Sequence, residues 1–151
     1  MVVETQWSVV NPTITTVLQF TWSSISLRFV PIKQLFTDFV ITLSSLIGLH
    51  NGLNVNLIVK PAKENFGIKF CRTDVENENL IEASYKNVVE PVLCTKIKNK
   101  NGTTVSTVEH LMAAFFGEGI DNALVEIDAS EVPILDGSAS EFVESIRSAG
   151  I

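Results

Sequence analysis

Ser106-Thr107-Val108-Glu109-His110-Leu111 is the stretch whose reading decides the fold. Ser106 suits a helix N-cap, and Glu109 three residues on completes a capping box. Apolar residues then fall at Val108, Leu111, Met112, Phe115 and Phe116, the stripe of an amphipathic helix. At roughly 100° per residue, Glu109 lies at the edge of that stripe and His110 opposite it. Ala113 and Ala114 share the far face with His110. Small residues there, where a solvated face carries Lys or Glu, predict a close neighbour with His110 looking into the gap. A Glu–His pair at a helix start suits a metal ligand beside a general base. On the local pattern alone, a surface histidine and a capping glutamate are the commoner reading.

Downstream, Gly117-Glu118-Gly119 closes the helix, and Ala123-Leu124-Val125-Glu126-Ile127-Asp128 reads as a strand. Residues 128–131 read as a loop, followed by the short apolar run Val132-Pro133-Ile134-Leu135. Asp136-Gly137-Ser138 then opens a second helix, with Ser138 and Glu141 as another capping box and Ala139, Phe142, Val143 and Ile146 as its buried stripe. Asp136 fits turn and capping duty better than catalysis.

Upstream, Val92-Leu93-Cys94-Thr95-Lys96-Ile97 is β-prone. It turns at Asn101-Gly102 and returns through Thr103-Thr104-Val105, a hairpin feeding the helix. Cys94 and Thr95 locally read as a buried small hydrophobe and a strand threonine. Further back, residues 36–49 contain a strand, and Asn51-Gly52 marks a tight turn with two successive positive-φ residues. Leu53-Asn54-Val55-Asn56-Leu57-Ile58-Val59 alternates as a half-buried strand does. His50 therefore sits at a hairpin tip, as a turn histidine or as one at the mouth of a site. Phe66 to Arg72 is another strand, with Ile68 and Phe70 on one face and Arg72 able to pair with Asp74. Ile81 to Ser84 is a short strand that residues 85–90 extend until Pro91.

The chain has 151 residues, enough for one domain with a real core. Its net charge of −6 argues against a nucleic-acid partner, which wants a basic patch. Cys71 and Cys94 form no CxxC pair, so a cysteine zinc site is unsupported and reduced thiols are expected. Only Glu4, Arg28, Lys33 and Asp38 are charged within residues 1–52. The uncharged run 5–27 carries Gln6, Asn11, Pro12, Gln19 and several Ser and Thr, too polar for a transmembrane span. No positive n-region marks a signal peptide.

Taken together, the motifs resemble the amino-terminal half of the zinc-dependent UDP-3-O-acyl-N-acetylglucosamine deacetylases of lipid A biosynthesis. The matching pieces run in family order. They are Ile47-Gly48-Leu49-His50 with Gly52; Gly67-Ile68-Lys69-Phe70 with Arg72 and Asp74; Leu93-Cys94-Thr95; the 106–111 run; Gly119-Ile120-Asp121-Asn122; and Pro133-Ile134-Leu135-Asp136-Gly137-Ser138. Six motifs in order outweigh the local reading of His110.

The resemblance implies an α+β fold, a two-layer β-sheet packed on two helices, as one of two similar domains with the active site between them. It implies residues 41–151 as the deacetylase amino-terminal domain and residues 1–40 as an atypical extension. It implies His110 as a ligand of Zn2+, Glu109 as the general base that activates the attacking water, and Leu93, Cys94, Thr95 and His50 as substrate-binding residues. The resemblance further implies hydrolysis of the acetamide to acetate and a free amine, in the cytoplasm of a Gram-negative-type bacterium. The family's other zinc ligands, a His and an Asp in a His-Lys-x-x-Asp motif, belong to a second, carboxy-terminal half. The chain's two histidines are His50 and His110. One protein ligand does not make the usual three-ligand catalytic site, so the isolated chain is expected to be inactive. Leu46 and Asn51 also depart from the family pattern around Gly-Leu-His. Two other readings share most of these features: an inactive truncated remnant, and a non-catalytic domain of the same fold.

Overall fold

A computed structural model describes residues 40–89 and 93–150. The expectations for an extension over 1–40 and for the uncharged run 5–27 lie, but for residue 40, outside the described residues. Eight strands and two helices follow in the order β1 (Ile41–Ile47), β2 (Asn54–Pro61), β3 (Ile68–Arg72), β4 (Leu80–Glu82), β5 (Val88–Val89), β6 (Lys96–Lys98), β7 (Thr104–Ser106), α1 (Glu109–Gly117), β8 (Ala123–Ile127) and α2 (Ser140–Ser148). The architecture is α+β, as the sequence predicts.

The main sheet has the order β1-β2-β8-β3-β4. Only the β3–β8 pair is parallel. Period-2 alternation puts Val55, Leu57 and Val59 of β2 on one face, and the register sets Leu57 opposite Ile127 and Val59 opposite Val125. Those residues, with Ile68 and Phe70 of β3, join Leu111 and Phe115 of α1 and Phe142 and Ile146 of α2 in one buried cluster. Each such side chain contributes about 1.5–3 kcal/mol by leaving water. The other face of the sheet is half-buried and mixed, with Ile58, Leu124 and Cys71 set among its charged residues. There Lys60 pairs with Glu126 at 2.6 Å, and burial, then Glu126, push the Cys71 thiol up against the opposing pull of Lys60. Both cysteines are free thiols, as expected.

A smaller antiparallel sheet, β5-β6-β7, is the expected hairpin with an added edge strand. Residues 85–90 do not simply extend β4. A single 3-10 turn over Tyr85–Asn87 intervenes, its first turn capped by the Ser84 hydroxyl. The two sheets are tied by Arg72, which donates to the Thr104 carbonyl at 2.7 Å, and by Asn99, which donates to the Glu78 and Leu80 carbonyls. Arg72 also forms the expected pair with Asp74, at 2.6 Å.

Both expected capping boxes are absent. The residue before α1 is Val108, with no side-chain cap, and Ser106 instead pairs in β7 and donates its hydroxyl to the Ser130 carbonyl. Glu109 turns away from the helix, as described below. Before α2, Ser138 is held by the Asp136 carboxylate and accepts from the Ser140 N–H, so it organises the preceding turn. Asp136 has the expected turn role, accepting from the Ser138 N–H at 2.8 Å.

The buried arc of α1 is also rotated. Val108, Leu111 and Phe115 are buried as expected, but Ala114 joins them and Phe116 is 89% exposed. Ala114 lies three residues after Leu111, and its small side chain lets α1 approach the core closely. Glu109, Ala113 and Phe116 share the outward side. In α2, Phe142 and Ile146 are buried, with Ala139 and Val143 packed beside them. Among the described residues, no helix is long and apolar enough to cross a membrane.

Candidate active site

The hairpin β6–β7 and the start of α1 bring the first two elements of the site together. Glu109, the first residue of α1, accepts the Thr95 N–H on Oε2 at 3.1 Å. Val108 N–H reaches the Thr95 carbonyl at 3.4 Å. Thr95 is thus clasped against the start of α1 at Val108 and Glu109. Leu93 is 89% exposed and Cys94 and Thr95 are half-buried. His110 is half-buried, at the border between the packed and open sides of α1. It acts electrostatically on Asp136, whose carboxyl is held below its ordinary value first by the Ser138 N–H and hydroxyl, with a smaller share from His110.

His50 occupies the tip of the β1–β2 hairpin, as expected, although only Gly52 of the turn pair has positive φ. It makes no direct hydrogen bond to Glu109 or His110 among the described residues. Its partner is Glu131, at 2.6 Å from Nδ1. Sequence reasoning placed Glu131 in a loop; the structure buries it to 1% exposure. Its carboxylate also accepts from the His50 N–H, the Asn51 N–H and the Thr107 hydroxyl. Burial pushes its pKa up, but these bonds, led by the His50 ring and Thr107, outweigh burial and hold the carboxyl below the ordinary glutamate value. No buried side-chain polar atom among the described residues lacks a partner.

The fold delivers Glu131 there through a parallel bridge to Ser106 at the end of β7. Val132 N–H meets the Ser106 carbonyl and Ser106 N–H meets the Ser130 carbonyl. Thr107, next in the chain, leads straight into α1. Side-chain hydrogen bonds thus link His50 to Glu131 and Glu131 to Thr107, and the backbone leads on from Thr107 to Glu109, which holds Thr95. Thr107, within this linkage, has φ 57°, and Leu93, two residues before Thr95, has φ 61°, both in the left-handed region. Such geometry costs about 1–3 kcal/mol per residue and gathers at functional sites.

The sequence model of the family described as "LpxC: UDP-3-O-acyl N-acetylglycosamine deacetylase" matches residues 41–151. The chain belongs to this family. It is 51% identical over 105 residues to the UDP-3-O-acyl-N-acetylglucosamine deacetylase of Shewanella pealeana, which spans 70% of this chain and 34% of that protein. The proteins of the same name from Shewanella woodyi and Shewanella piezotolerans are each 50% identical over the same lengths. The chain spans about a third of the length of these relatives.

Zinc chemistry fits these residues only in part. His110 offers an imidazole beside an acidic neighbour, a sound corner for a metal site. Among the described residues, however, no group of three or more His, Cys, Asp or Glu side chains is placed to hold a metal ion.

Proposed function

We propose that this chain is the amino-terminal portion of a zinc-dependent amide hydrolase that removes acetate from UDP-3-O-acyl-N-acetylglucosamine, in the lipid A pathway of the cytoplasm. The carrying observation is the Glu109–Thr95 clasp next to His110, within a family match that covers every described element. Bound zinc would be held by His110 together with ligands from a second, carboxy-terminal half, and would polarise the acetamide carbonyl. Glu109 is the general base. Its Oε2 is fixed by the Thr95 N–H, and Oε1 makes no hydrogen bond among the described residues, so it can accept a proton from the attacking water. The water oxygen adds to the carbonyl carbon, the C–N bond breaks, and the amine leaves with a proton. Leu93, Cys94, Thr95 and His50 form this half's substrate wall, Leu93 supplying the exposed apolar surface. Residues 41–151 are the catalytic half-domain, and 1–40 is an extension.

The test is reconstitution. This chain, zinc and the carboxy-terminal portion of the Shewanella pealeana protein are mixed, and acetate release from UDP-3-O-acyl-N-acetylglucosamine is measured. Release is expected in the full mixture only. Glu109→Gln should lower it by about 10²–10⁴-fold, and His110→Ala should remove zinc. Tight stoichiometric zinc with turnover by the isolated chain would overturn the half-site reading. Complex formation without acetate release would overturn the catalytic one.

A further inference from the structure

We propose that Glu131 is a positioning residue. Its carboxylate accepts a hydrogen bond from the Nδ1–H of His50, so that Nε2 of the neutral ring faces the open side as a hydrogen-bond acceptor for a ligand hydroxyl or amide N–H. The assignment of that ligand to the deacetylase substrate rests on the reading above; the tautomer rests on geometry alone.

Four donors converge on this carboxylate, and three of them can only donate or do so by geometry: the His50 N–H, the Asn51 N–H and the Thr107 hydroxyl at 2.8 Å. A buried carboxylate so surrounded is ionised and acceptor-only. The His50 Nδ1 at 2.6 Å must then carry the proton. The histidine side chain is 39% exposed while the glutamate is 1% exposed, so the ring's other edge is the one that meets solvent.

Two further features show that the chain is shaped around this contact. A Cβ on Gly48 would come within 2.8 Å of Glu131 Oε2 and 2.4 Å of Asn51 Oδ1, so the hairpin tip closes on the carboxylate only because residue 48 has no side chain. Thr107 is β-branched yet held at φ 57° and 2% exposed, with its hydroxyl on the same carboxylate oxygen as His50. A charge buried without any Lys or Arg among its hydrogen-bond partners is a costly way to pin a surface turn. It is a direct way to fix one imidazole edge, as carboxylates do for functional histidines elsewhere.

The experiment is long-range 1H–15N correlation NMR on the full chain labelled at histidine, with His50 assigned by comparison with His110→Asn. At a pH where the His50 ring is neutral, wild type should show a pyrrole-like Nδ1 and a pyridine-like Nε2. Glu131→Gln, folded by circular dichroism, should move the population toward the Nε2–H form. Thr107→Val keeps the carboxylate and should retain the Nδ1–H form. A dominant Nε2–H tautomer in wild type overturns the proposal whether or not Glu131→Gln folds, and so does an unchanged tautomer in folded Glu131→Gln. Failure of acetate release with the Nδ1–H tautomer present would sink the deacetylase reading and leave this one standing.

Discussion

At the residue scale the costliest group is Glu131. Replacing it by Ala strands the Thr107 hydroxyl and the N–H groups of the hairpin tip, and should lower unfolding stability by about 3 kcal/mol, read as a shift in urea midpoint at neutral pH. The pH dependence follows from the lowered pKa of Glu131 in the folded state. A carboxyl that is more acidic folded than unfolded stabilises the fold above its unfolded value, about 4.3 for Glu, and that contribution is lost as pH falls through the folded value. The stability gap between wild type and Glu131→Gln should therefore be widest near neutrality and shrink on acidification below about 4.3. A gap that is constant with pH would mean that the carboxylate charge plays no part. Gly48→Ala attacks the same contact from the other side. It should destabilise by about 1–3 kcal/mol through overpacking, a loss that disappears if the tip can simply shift.

At the scale of the element, α1 sets two neighbouring phenylalanines in opposite environments. Phe115 is 1% exposed and Phe116 89%. Phe115→Ala should cost about 3–5 kcal/mol, whereas Phe116→Ser should stay within about 0.5 kcal/mol in a thermal melt. Phe116 shares the outward side of α1 with Glu109, and Leu93 lies exposed on the segment clasped to it. The Phe116→Ser variant should bind less hydrophobic dye and self-associate less than wild type. Equal dye binding would show that the apolar surface lies elsewhere. The sequence pattern predicted this helix and its start but placed Phe116 inside and Ala114 outside. Periodicity locates an apolar arc only to within a residue or so. Ala is compatible with either side, so the final rotation was settled by how closely α1 packs onto the β2, β3 and β8 residues.

At the scale of the molecule, two sheets and two helices share one core, but few polar links join the sheets. Asn99 is the densest of them. Its side chain donates to the Glu78 and Leu80 carbonyls and accepts from the Asn101 and Thr103 N–H groups. Asn99→Ala should cost about 1–3 kcal/mol and preferentially raise amide exchange in β6 and β7. Uniformly faster exchange across both sheets would show instead that they open as one unit. The candidate residues divide in the same way: Thr95 precedes β6, Glu109 and His110 open α1, and His50 lies at the tip of the β1–β2 hairpin.

Short-range information in the sequence determined the hairpins, the strand faces, both helices and the Glu109–His110 pair, because each depends on periodicity or turn chemistry within about ten residues. The order of six motifs was enough for the family. Tertiary structure alone decided Glu131. Its donors lie 80, 81 and 24 positions away along the chain, and in the sequence it is one acidic residue before an apolar run. It alone also decided that the Ser106 hydroxyl ties the end of β7 to Ser130 and the Ser138 hydroxyl organises a turn, instead of capping helices, since Ser130 and Asp136 compete for those hydroxyls. Local patterns state which bonds a polar side chain can make. Which one it makes is fixed only when the chain brings a stronger partner within reach, as it does where Glu109 leaves its own helix end for the Thr95 N–H.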